Sequence, residues 1–430
     1  MNEINLLGSR EIIEANQLLK LRSLLGKLSL SNPFYASKIH QAGLSNEIRS
    51  LDTFFSRMPF TDKLQLIEDQ RRHPPYGSNL TYDIGCYTRF SRTSATTGKP
   101  MCWLDTPKSW EWMLENWAQV YKIAGVNSQD RILFAFSFGP FLGFWTAFES
   151  GTRLGCLCIP GGGMSSLARL TTLIDNGVTV LCCTPTYAVR LAEVASDNQI
   201  DLSKGRVRVI IVAGEPGGSV GSTVAAVEQF WPGAKVIDHH GMTESGPVSY
   251  GCPKRRHVLH VMESSYISEV LNVVGDCTVA EGGVGELILT SLGRVGSPLI
   301  RYRTGDLVRL SKRSDCECGS SEVSLEGGIL GRTDDMVVVR GVNIYPSAVE
   351  EVVRSFKDIT EYRVEVQSQG SLDELKIQIE CSAKCVDSES VGHRLQLVLR
   401  STFGLRIPVS ITARGTLPRF EFKAKRWIRR

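Results

Sequence analysis

Short, continuously apolar runs alternate with helix-like segments from about residue 130 onwards. The runs end in Gly, Pro or Ser, as in RILFAFSF, LGCLCIP, VTVLCCTP and VRVIIVAGEP. Strands buried on both faces have this composition, and their alternation with helices favours a mainly parallel α/β sheet. Ligands of such sheets bind beyond the carboxyl ends of the strands, so the following loops are where we expect chemistry.

The pattern differs on either side of this region. Residues 1–60 have apolar positions at helical spacing, which predicts helices. After HHGMTESGPVSYG, the segments GELILTSLG and LIRYRTGDLVRLSK alternate as antiparallel strands do. From about Gly331 a strand–turn–helix pattern, a hairpin-like pair (YRVEVQS and ELKIQIEC) and a last helix predict a smaller α+β unit.

Together these patterns predict an α/β fold with two domains. A large N-terminal domain over residues 1–332 is expected to have mainly parallel α/β sheets plus a small antiparallel β part. A small α+β domain over residues 333–430 follows it. The 430 residues suffice for two or three hydrophobic cores.

Composition and charge exclude several classes of partner. A formal net charge of +4 over this length gives no concentrated basic surface for nucleic acid. No run approaches the roughly 18 apolar residues of a membrane span, and the N-terminus lacks a signal-peptide pattern, so we expect a cytoplasmic protein. Twelve cysteines in a chain of this size do not form a disulfide framework, and we expect most to be reduced and buried.

The stretch TSATTGKPM, from Thr93 to Met101, is a cluster of small hydroxyl residues that ends in Gly-Lys. It does not fit a nucleotide P-loop, because Thr93 stands where that motif has its first Gly and Pro100 follows Lys99 where Ser or Thr is required. Taken alone, the segment is either a phosphate-binding loop or a polar surface turn.

Five segments resemble, in order, the motifs of the adenylate-forming superfamily of acyl-CoA synthetases and adenylation domains. They are TSATTGKP, DHHGMTESGP (238–247), YRTGDL (302–307), GRTDDMVVVRGVNIYPSAVEE (331–351) and LPRFEFKAKR (417–426). NPFYASKI, MPFTDK, AGEPGG and RGVNIYPSAVEE resemble the phenylacetate–CoA ligase-like branch. The resemblance implies that ATP activates a carboxylic acid to an acyl-adenylate, with release of pyrophosphate, before transfer to a thiol.

The resemblance assigns nucleotide contacts residue by residue. For the loop that closes over the β- and γ-phosphates of ATP it implies Thr93, Ser94, Thr96, Thr97, Gly98 and Lys99. For the adenine side it implies Gly214, Glu215, Pro216, Asp238, His239, His240, Gly241 and Met242. Asp306 matches the carboxylate that accepts from the ribose hydroxyls, and Arg332 matches a basic residue on the ribose side.

Catalytic roles are implied in the same way. Lys423 matches the lysine that bridges the carboxylate and the α-phosphate, and Thr243 matches a donor to that phosphate. Glu244 matches the ligand of Mg²⁺, a hard cation that prefers oxygen. Asp334 matches the hinge about which a mobile C-terminal domain swings, and the second conformation presents the loop around Gly341 to a pantetheine tunnel.

The acid and the acceptor stay open at this point. The acyl group goes to CoA, or to the phosphopantetheine of a separate carrier protein, or the chain is a degenerate member that binds nucleotide without turnover. The aromatic- and glycine-rich segment 136–151 suits a pocket for a small aromatic acid, and equally suits the core. Symmetric dimers are common in this branch, so the resemblance makes a homodimer an expectation.

A set of cysteines and a histidine forms a second constellation. Cys252 and His260 follow the adenine motif, and Cys316 and Cys318 follow the ribose motif. Some phenylacetate–CoA ligase-like proteins carry a similar set, which implies a structural Zn²⁺ held tetrahedrally. Reduced thiols are the alternative, and His257 competes with His260 for the histidine position.

Three positions depart from the family pattern. Ala95 replaces a loop glycine, and His240 replaces the tyrosine that stacks on adenine. In the lysine motif, Phe420 and Phe422 replace small residues close to Lys423. No charged catalytic group is lost, so we expect activity to be retained, while Ala95 and Phe422 keep the degenerate alternative open.

Overall fold

The computed structural model describes residues 8–93, 100–312, 316–335, 337–339, 342–369, 372–420 and 424–429. Within these ranges the predicted fold class is confirmed. A parallel α/β sheet and an antiparallel sheet build the larger part, and an α+β unit follows them.

Helices form the first layer of the chain, as the apolar spacing of residues 1–60 predicts. Asn32 starts the second helix because its side chain accepts from the backbone N–H of Tyr35, and Pro33 occupies the first helical position. The first three helices pack on Ile267 of the antiparallel sheet and on Ile300, which lies in a loop between two of its strands. Their bounds are α1 (Arg10–Ser31), α2 (Pro33–Gln41), α3 (Leu51–Arg57) and α4 (Lys63–Arg72).

A two-stranded antiparallel hairpin and a long helix follow. Strands β1 (Arg89–Arg92) and β2 (Cys102–Asp105) pair so that Arg92 faces Cys102. The residues between them are the predicted phosphate loop. Helix α5 (Pro107–Ile123) begins at Thr106, whose hydroxyl accepts from the backbone N–H of Ser109.

The predicted parallel strands form one sheet in the described part of the chain, in the order β4-β3-β5-β6-β7. All residues of β5 and β6 are buried, because helices cover both faces, which explains their continuously apolar sequence. The strands are β3 (Arg131–Phe134), β4 (Leu157–Pro160), β5 (Val180–Cys183), β6 (Val209–Val212) and β7 (Lys235–Asp238). The helices are α6 (Trp145–Leu154), α7 (Ser166–Asp175), α8 (Pro185–Asp197) and α9 (Gly221–Phe230).

The antiparallel part is larger than the sequence predicts. Among the described residues it is a six-stranded sheet in the order β10-β11-β15-β14-β13-β12, and it shares one core with the parallel sheet. A small hairpin of β8 (Gly241–Met242) and β9 (Gly246–Pro247) precedes it. Its strands are β10 (Ser249–Gly251), β11 (Val258–Val261), β12 (Tyr266–Leu271), β13 (Val284–Ser291), β14 (Tyr302–Leu310) and β15 (Ser324–Arg332).

The C-terminal unit has its own hydrophobic core, formed by residues from Val337 onwards. The predicted hairpin is confirmed, because β18 and β19 pair antiparallel along their length. The unit contains β16 (Val337–Val339), β17 (Val342–Ile344), α10 (Pro346–Arg354), β18 (Ile359–Gln369), β19 (Leu372–Cys381), α11 (Ser388–Phe403), β20 (Val409–Ile411) and β21 (Trp427–Arg429). The boundary between 332 and 333 stays a prediction; β15 ends at Arg332.

The structure also bears on two expectations from composition, which concern membrane spans and the state of the cysteines. Among the described residues, every helix is too short or too polar to cross a lipid bilayer. The twelve cysteines all lie in the described ranges and are free thiols there. Only four of the twelve are buried and six are partly exposed, so the expectation that most cysteines are buried is wrong. Cys182 and Cys183 are fully buried, as predicted from their apolar run, whereas Cys86 and Cys277 are exposed.

Candidate active site

The predicted phosphate loop connects β1 to β2, and Thr93 closes its base. The backbone N–H of Thr93 donates to the carbonyl of Met101 over 2.9 Å, and the N–H of Met101 donates to the Thr93 hydroxyl over 3.0 Å. Thr93 is buried. The remaining predicted phosphate contacts lie outside the described residues, namely Ser94, Thr96, Thr97, Gly98 and Lys99, and so does Ala95.

Asp238, which is half-buried, and His239, which is buried, lie at the carboxyl end of β7 and support the site. The Ser219 hydroxyl donates to Asp238 over 2.5 Å, which ties the strand to the loop that follows β6. Burial raises the pKa of Asp238 to about 6 against this hydrogen bond. Burial lowers the pKa of His239 to about 3, so its ring is neutral at pH 7, and the ring packs against Trp117 at 4.3 Å between centroids.

His240 occupies the position where the resemblance implies stacking on adenine, and the structure pairs it with a carboxylate. Its Nε2 lies 3.0 Å from Oδ2 of Asp306, while Nη1 of Arg332 lies 3.0 Å from Oδ1. Asp306 is thus held on both sides. Burial acts to lower the pKa of Arg332, but the ion pairs with Asp306 and Asp334 raise it, so the guanidinium stays charged.

Asp306 is oriented by its own strand as well. Its backbone N–H donates to the Thr304 hydroxyl over 3.0 Å, and Arg332 also donates to the Thr304 carbonyl over 3.2 Å. Asp306 and Arg332 face each other across the β14–β15 register. The predicted ribose pair therefore comes together through strand pairing. A carboxylate fixed in this way can accept from a diol with little loss of side-chain entropy.

A buried ion pair shapes the segment that carries Thr243 and Glu244. The guanidinium of Arg294 donates to both oxygens of Asp105 over 2.7 and 2.6 Å, and both side chains are completely buried. Its third nitrogen donates to the carbonyls of Thr243 and Glu244, each over 2.7 Å. One side chain thus fixes the backbone of both predicted catalytic residues relative to β2, which leads out of the phosphate loop.

The Glu244 carboxylate is about one-tenth exposed and lies 3.6 Å from Nζ of Lys63 at the start of α4. An anionic oxygen ligand beside Thr243 fits the requirement of Mg²⁺. The backbone here folds into the β8–β9 hairpin of Gly241 and Met242. Gly246 has a φ of +89°, and a Cβ there would lie 2.9 Å from Met113 Sδ, so this turn needs glycine.

Arg294, Asp105 and Lys63 were missed by the sequence analysis. The two partners of the buried pair are 189 positions apart, and no spacing rule connects them. The available signal is weak: each is a charged residue inside an otherwise apolar or small-residue segment, CWLDTP and SLGRVGSP. Such a charge is rarely buried without a partner, so it predicts that a partner exists without identifying it.

The end of the chain docks on the loop that the resemblance places against adenine. The backbone N–H of Ala424 donates to Oε2 of Glu215 over 2.7 Å, and the N–H of Thr186 donates to Oε1 over 2.9 Å. Lys423 precedes Ala424 in the sequence and lies outside the described residues, as do Phe422 and Gly341. The predicted hinge residue Asp334 is exposed and pairs with Arg332 over 2.9 Å.

Most of the predicted adenine residues are therefore supports or turn residues in this structure. Gly214 has a φ of +96°, a conformation that favours glycine, and Pro216 is exposed beside it. Gly241 has no room for a side chain, since a Cβ would lie 2.8 Å from the Gly246 carbonyl. Their direct contact with adenine stays a prediction.

The aromatic segment contains both core and surface rings. Phe144 is buried in the main core, whereas Phe136 and Phe138 are partly exposed and pack on it. Phe144 lies 5.9 Å from the Trp117 ring, which in turn contacts His239. The backbone N–H of Arg92 donates to the Pro140 carbonyl, so the segment also borders the phosphate loop. The rings described here belong to the core or pack on it, and a pocket for an aromatic acid in this segment stays a prediction.

The Cys/His set converges at one point between β11 and the β14–β15 connection. The ligand atoms of Cys252, His260, Cys316 and Cys318 all lie within 4.8 Å of one another. His260 Nε2 is 3.2 Å from Cys316 Sγ and 3.4 Å from Cys318 Sγ. His257 is in the turn before β11 and is not among the four, which resolves the choice between the two histidines.

This architecture, with a carboxylate–arginine pair set by strand pairing, a backbone held by a buried arginine and a C-terminal α+β unit docked on the larger part, is that of an adenylate-forming enzyme. The family of AMP-binding enzymes matches residues 90–293, and its C-terminal domain matches residues 341–430. The chain is 30% identical over 435 residues to the phenylacetate-coenzyme A ligase of Thermus thermophilus, covering 96% of this chain and 95% of that protein. The chain belongs to the AMP-binding enzyme family, in its phenylacetate–CoA ligase-like branch.

Other relatives agree with this placement. The phenylacetate-coenzyme A ligase of Pseudomonas putida is 28% identical over 429 residues, covering 97% of this chain and 94% of that protein. A 2-hydroxyisobutyryl-CoA ligase in the postadenylation state superposes with a TM-score of 0.93 at 26% identity, covering 99% of this chain and 91% of that chain. The same ligase in its thioesterification state, with the same coverage and identity, gives 0.74.

Replacing Arg294 by Lys tests the clamp on Thr243 and Glu244. Lysine keeps the charge but cannot serve both Asp105 oxygens and two carbonyls, so we expect a lower thermal midpoint and roughly tenfold weaker Mg·ATP binding by calorimetry.

Arg301 provides the matched control for this substitution. It pairs with both oxygens of Glu269 and donates to the carbonyls of Phe55 and Met58, each over 2.7 Å. Arg301→Lys is expected to lower the thermal midpoint comparably with little change in Mg·ATP affinity. Equal losses of affinity in the two variants contradict a specific role for Arg294.

Proposed function

We propose that this protein uses Mg·ATP to convert a small carboxylic acid into an acyl-adenylate and then transfers the acyl group to the thiol of CoA. The observation that carries the proposal is Asp306, whose carboxylate His240 and Arg332 hold on both sides. His240 lies three positions before Thr243 in the chain. Mg·ATP requires one carboxylate that accepts from the ribose hydroxyls and another that binds the Mg²⁺ of the triphosphate.

The first half-reaction joins the acid to the nucleotide. A carboxylate oxygen attacks the α-phosphorus of ATP, the bond to the bridging oxygen breaks, and pyrophosphate leaves with its electron pair. Catalysis of such transfers depends mainly on positioning and on neutralising charge on oxygens. We assign Glu244 to Mg²⁺, Thr243 and Lys423 to the α-phosphate, and Asp306 to the ribose.

In the second half-reaction a thiolate attacks the acyl carbonyl and AMP leaves. The relatives named above support CoA as the acceptor, because they are CoA ligases and their similarity extends over almost the whole of this chain. A carrier-protein phosphopantetheine is the second candidate acceptor. The loop around Gly341 is assigned to this step from the resemblance, together with rotation about Asp334.

The acid is proposed to be aromatic. Phe136 and Phe138 have partly exposed rings, and Pro140 of the same segment accepts from the backbone N–H of Arg92 in β1. Phe144 contacts the Phe136 ring and connects it to Trp117 and thereby to His239. Rings of this kind pack well against an aryl group, and the relatives include phenylacetate ligases. The homodimer and the cytoplasmic location stay predictions.

Pyrophosphate exchange tests the adenylation step. With ATP, Mg²⁺, labelled pyrophosphate and no thiol, we expect label to enter ATP in the presence of phenylacetate or a related aromatic acid. Lys423→Ala is expected to lower the rate about 10²–10³-fold, because it removes a positioned cation at the reacting phosphate.

The control for this test is Lys425→Ala, which removes a nearby exposed cation of the same segment and is expected to keep the exchange rate. Adding CoA, or a carrier protein, to the active mixture then identifies the acceptor. Silence across a panel of aromatic and aliphatic acids, with Mg·ATP binding intact, contradicts the proposal and favours the degenerate member, with Ala95 and Phe422 as the first positions to revert.

We further propose that Cys252, His260, Cys316 and Cys318 hold a structural Zn²⁺. Three thiols and an imidazole nitrogen match the ligand preference of zinc, and four protein ligands leave no open coordination position for catalysis. The ion would join β11 to the long β14–β15 connection. Since β14 and β15 carry Asp306 and Arg332, the metal would stabilise the sheet that presents the ribose pair.

Metal analysis tests the zinc proposal. We expect about one zinc per chain by mass spectrometry of protein purified without a histidine tag, and Cys316→Ser is expected to lose both the metal and several degrees of thermal midpoint. Cys86→Ser, an exposed cysteine outside the cluster, is the control and should retain both. Metal-free protein that is as stable as the zinc-supplemented protein contradicts the proposal.

A further inference from the structure

We propose that Glu215 is a positioning residue that docks the C-terminal domain for adenylation, by fixing the backbone that follows Lys423. The inference rests on the proposed function for its catalytic meaning. The resemblance places Glu215 in a loop that lies against adenine. In the structure both of its carboxylate oxygens are instead occupied by backbone N–H groups of other segments.

The first contact holds the carboxylate within the core. Oε1 accepts from the backbone N–H of Thr186 in the first turn of α8, where unsatisfied N–H groups and the helix dipole favour an anion. Thr184 caps the same helix by accepting from Tyr187. Glu215 is therefore held in place by α8 independently of where the C-terminal domain lies.

The second contact crosses to the C-terminal domain. Oε2 accepts from the N–H of Ala424 over 2.7 Å, a distance typical of a hydrogen bond to a charged acceptor. Because a backbone N–H donates along one direction, this bond sets the position of the chain at Ala424, the residue after Lys423 in the sequence.

The docked segment is also tied firmly to the body of its own domain. Arg426 is buried and pairs with Glu361 over 2.6 Å, and its Nη1 donates to the Thr186 hydroxyl over 3.2 Å. Thr186 thus accepts from Arg426 with its hydroxyl and donates to Glu215 with its backbone N–H. These hydrogen bonds and the Arg426–Glu361 ion pair connect α8, through Glu215 and Ala424, to β18. The segment at Ala424 is therefore docked together with the body of the C-terminal domain.

The contacts between the C-terminal domain and the core have to break before a thiol can take the acyl group. Rotation of the domain between half-reactions breaks the Ala424 and Arg426 contacts with the core, while the bond from Thr186 to Glu215 lies within the core and persists. Glu215 is then ready to dock the domain again. Loss of the Glu215 carboxylate should therefore slow adenylation but leave the rate of thioester formation nearly unchanged. A general loss of stability would slow both half-reactions.

The test measures each half-reaction and the docking itself. In Glu215→Ala we expect pyrophosphate exchange with phenylacetate to fall about 10- to 100-fold, the effect of losing hydrogen bonds to a charged group. Single-turnover transfer from synthetic phenylacetyl-adenylate to CoA should stay within about threefold of wild type. Glu215→Gln keeps one acceptor oxygen, so its exchange rate should be intermediate, and it serves if the alanine variant folds poorly.

Hydrogen exchange of the Ala424 amide, measured on the intact protein without substrates, is the activity-independent readout. We expect faster exchange in both Glu215 variants, and the measurement stays informative if phenylacetate is not a substrate. Glu193→Gln is the control: Glu193 lies in α8 at the same interface, and its oxygen is 3.9 Å from Arg419 of the C-terminal domain. Unchanged Ala424 exchange, or equal slowing of both half-reactions, overturns the proposal.

Discussion

The buried contact between Arg294 and Asp105 is the interaction on which the rest of the site depends. Both groups are removed from water, and such a pair is tolerated when every donor and acceptor has a partner. Arg294 meets this condition by bonding the carbonyls of Thr243 and Glu244. A single side chain thereby joins β2, the segment of Thr243 and Glu244, and the β13–β14 connection.

The remaining parts of the site are arranged around this fixed centre by strand pairing. The β14–β15 register brings Arg332 to Asp306, and the His240 ring closes on the same carboxylate from the end of β7. The C-terminal unit then approaches from outside through Glu215. The Arg294–Asp105 pair is completely buried, whereas Ala424 and Arg426 of the C-terminal unit contact the larger part of the chain through hydrogen bonds. Such contacts suit the rearrangement between half-reactions that we propose.

The elements of the fold could be predicted from the sequence because their burial pattern is local. Continuously apolar runs such as VTVLCC became strands buried on both faces, and the alternation around ELKIQIEC became one strand of a hairpin. The antiparallel sheet was underestimated, because short strands such as β10 and β11 carry little periodicity. Its size depends on pairing between β11 and β15, which are distant in sequence.

The candidate site was predictable where the resemblance supplied named positions and unpredictable where the contacts join distant segments. Asp306 and Arg332 lie together as expected, and the Cys/His set converges. The pairing of His240 with Asp306, the Arg294 clamp and the docking role of Glu215 depend on tertiary geometry. Glu215 is the clearest example of what the motif alone does not predict. The motif indicates contact with the nucleotide, whereas the hydrogen bonds of the side chain connect two domains.

The proposed adenylation requires that a carboxylate oxygen of the substrate attack the α-phosphorus of ATP in this site. The most direct test follows ¹⁸O from labelled phenylacetate, or from the acid that supports the fastest pyrophosphate exchange, through a complete turnover with CoA. We expect one labelled oxygen in AMP, because the attacking oxygen stays on the phosphorus when the thiol takes the acyl group, and unlabelled pyrophosphate. Label in inorganic phosphate, with ADP as the nucleotide product, contradicts it.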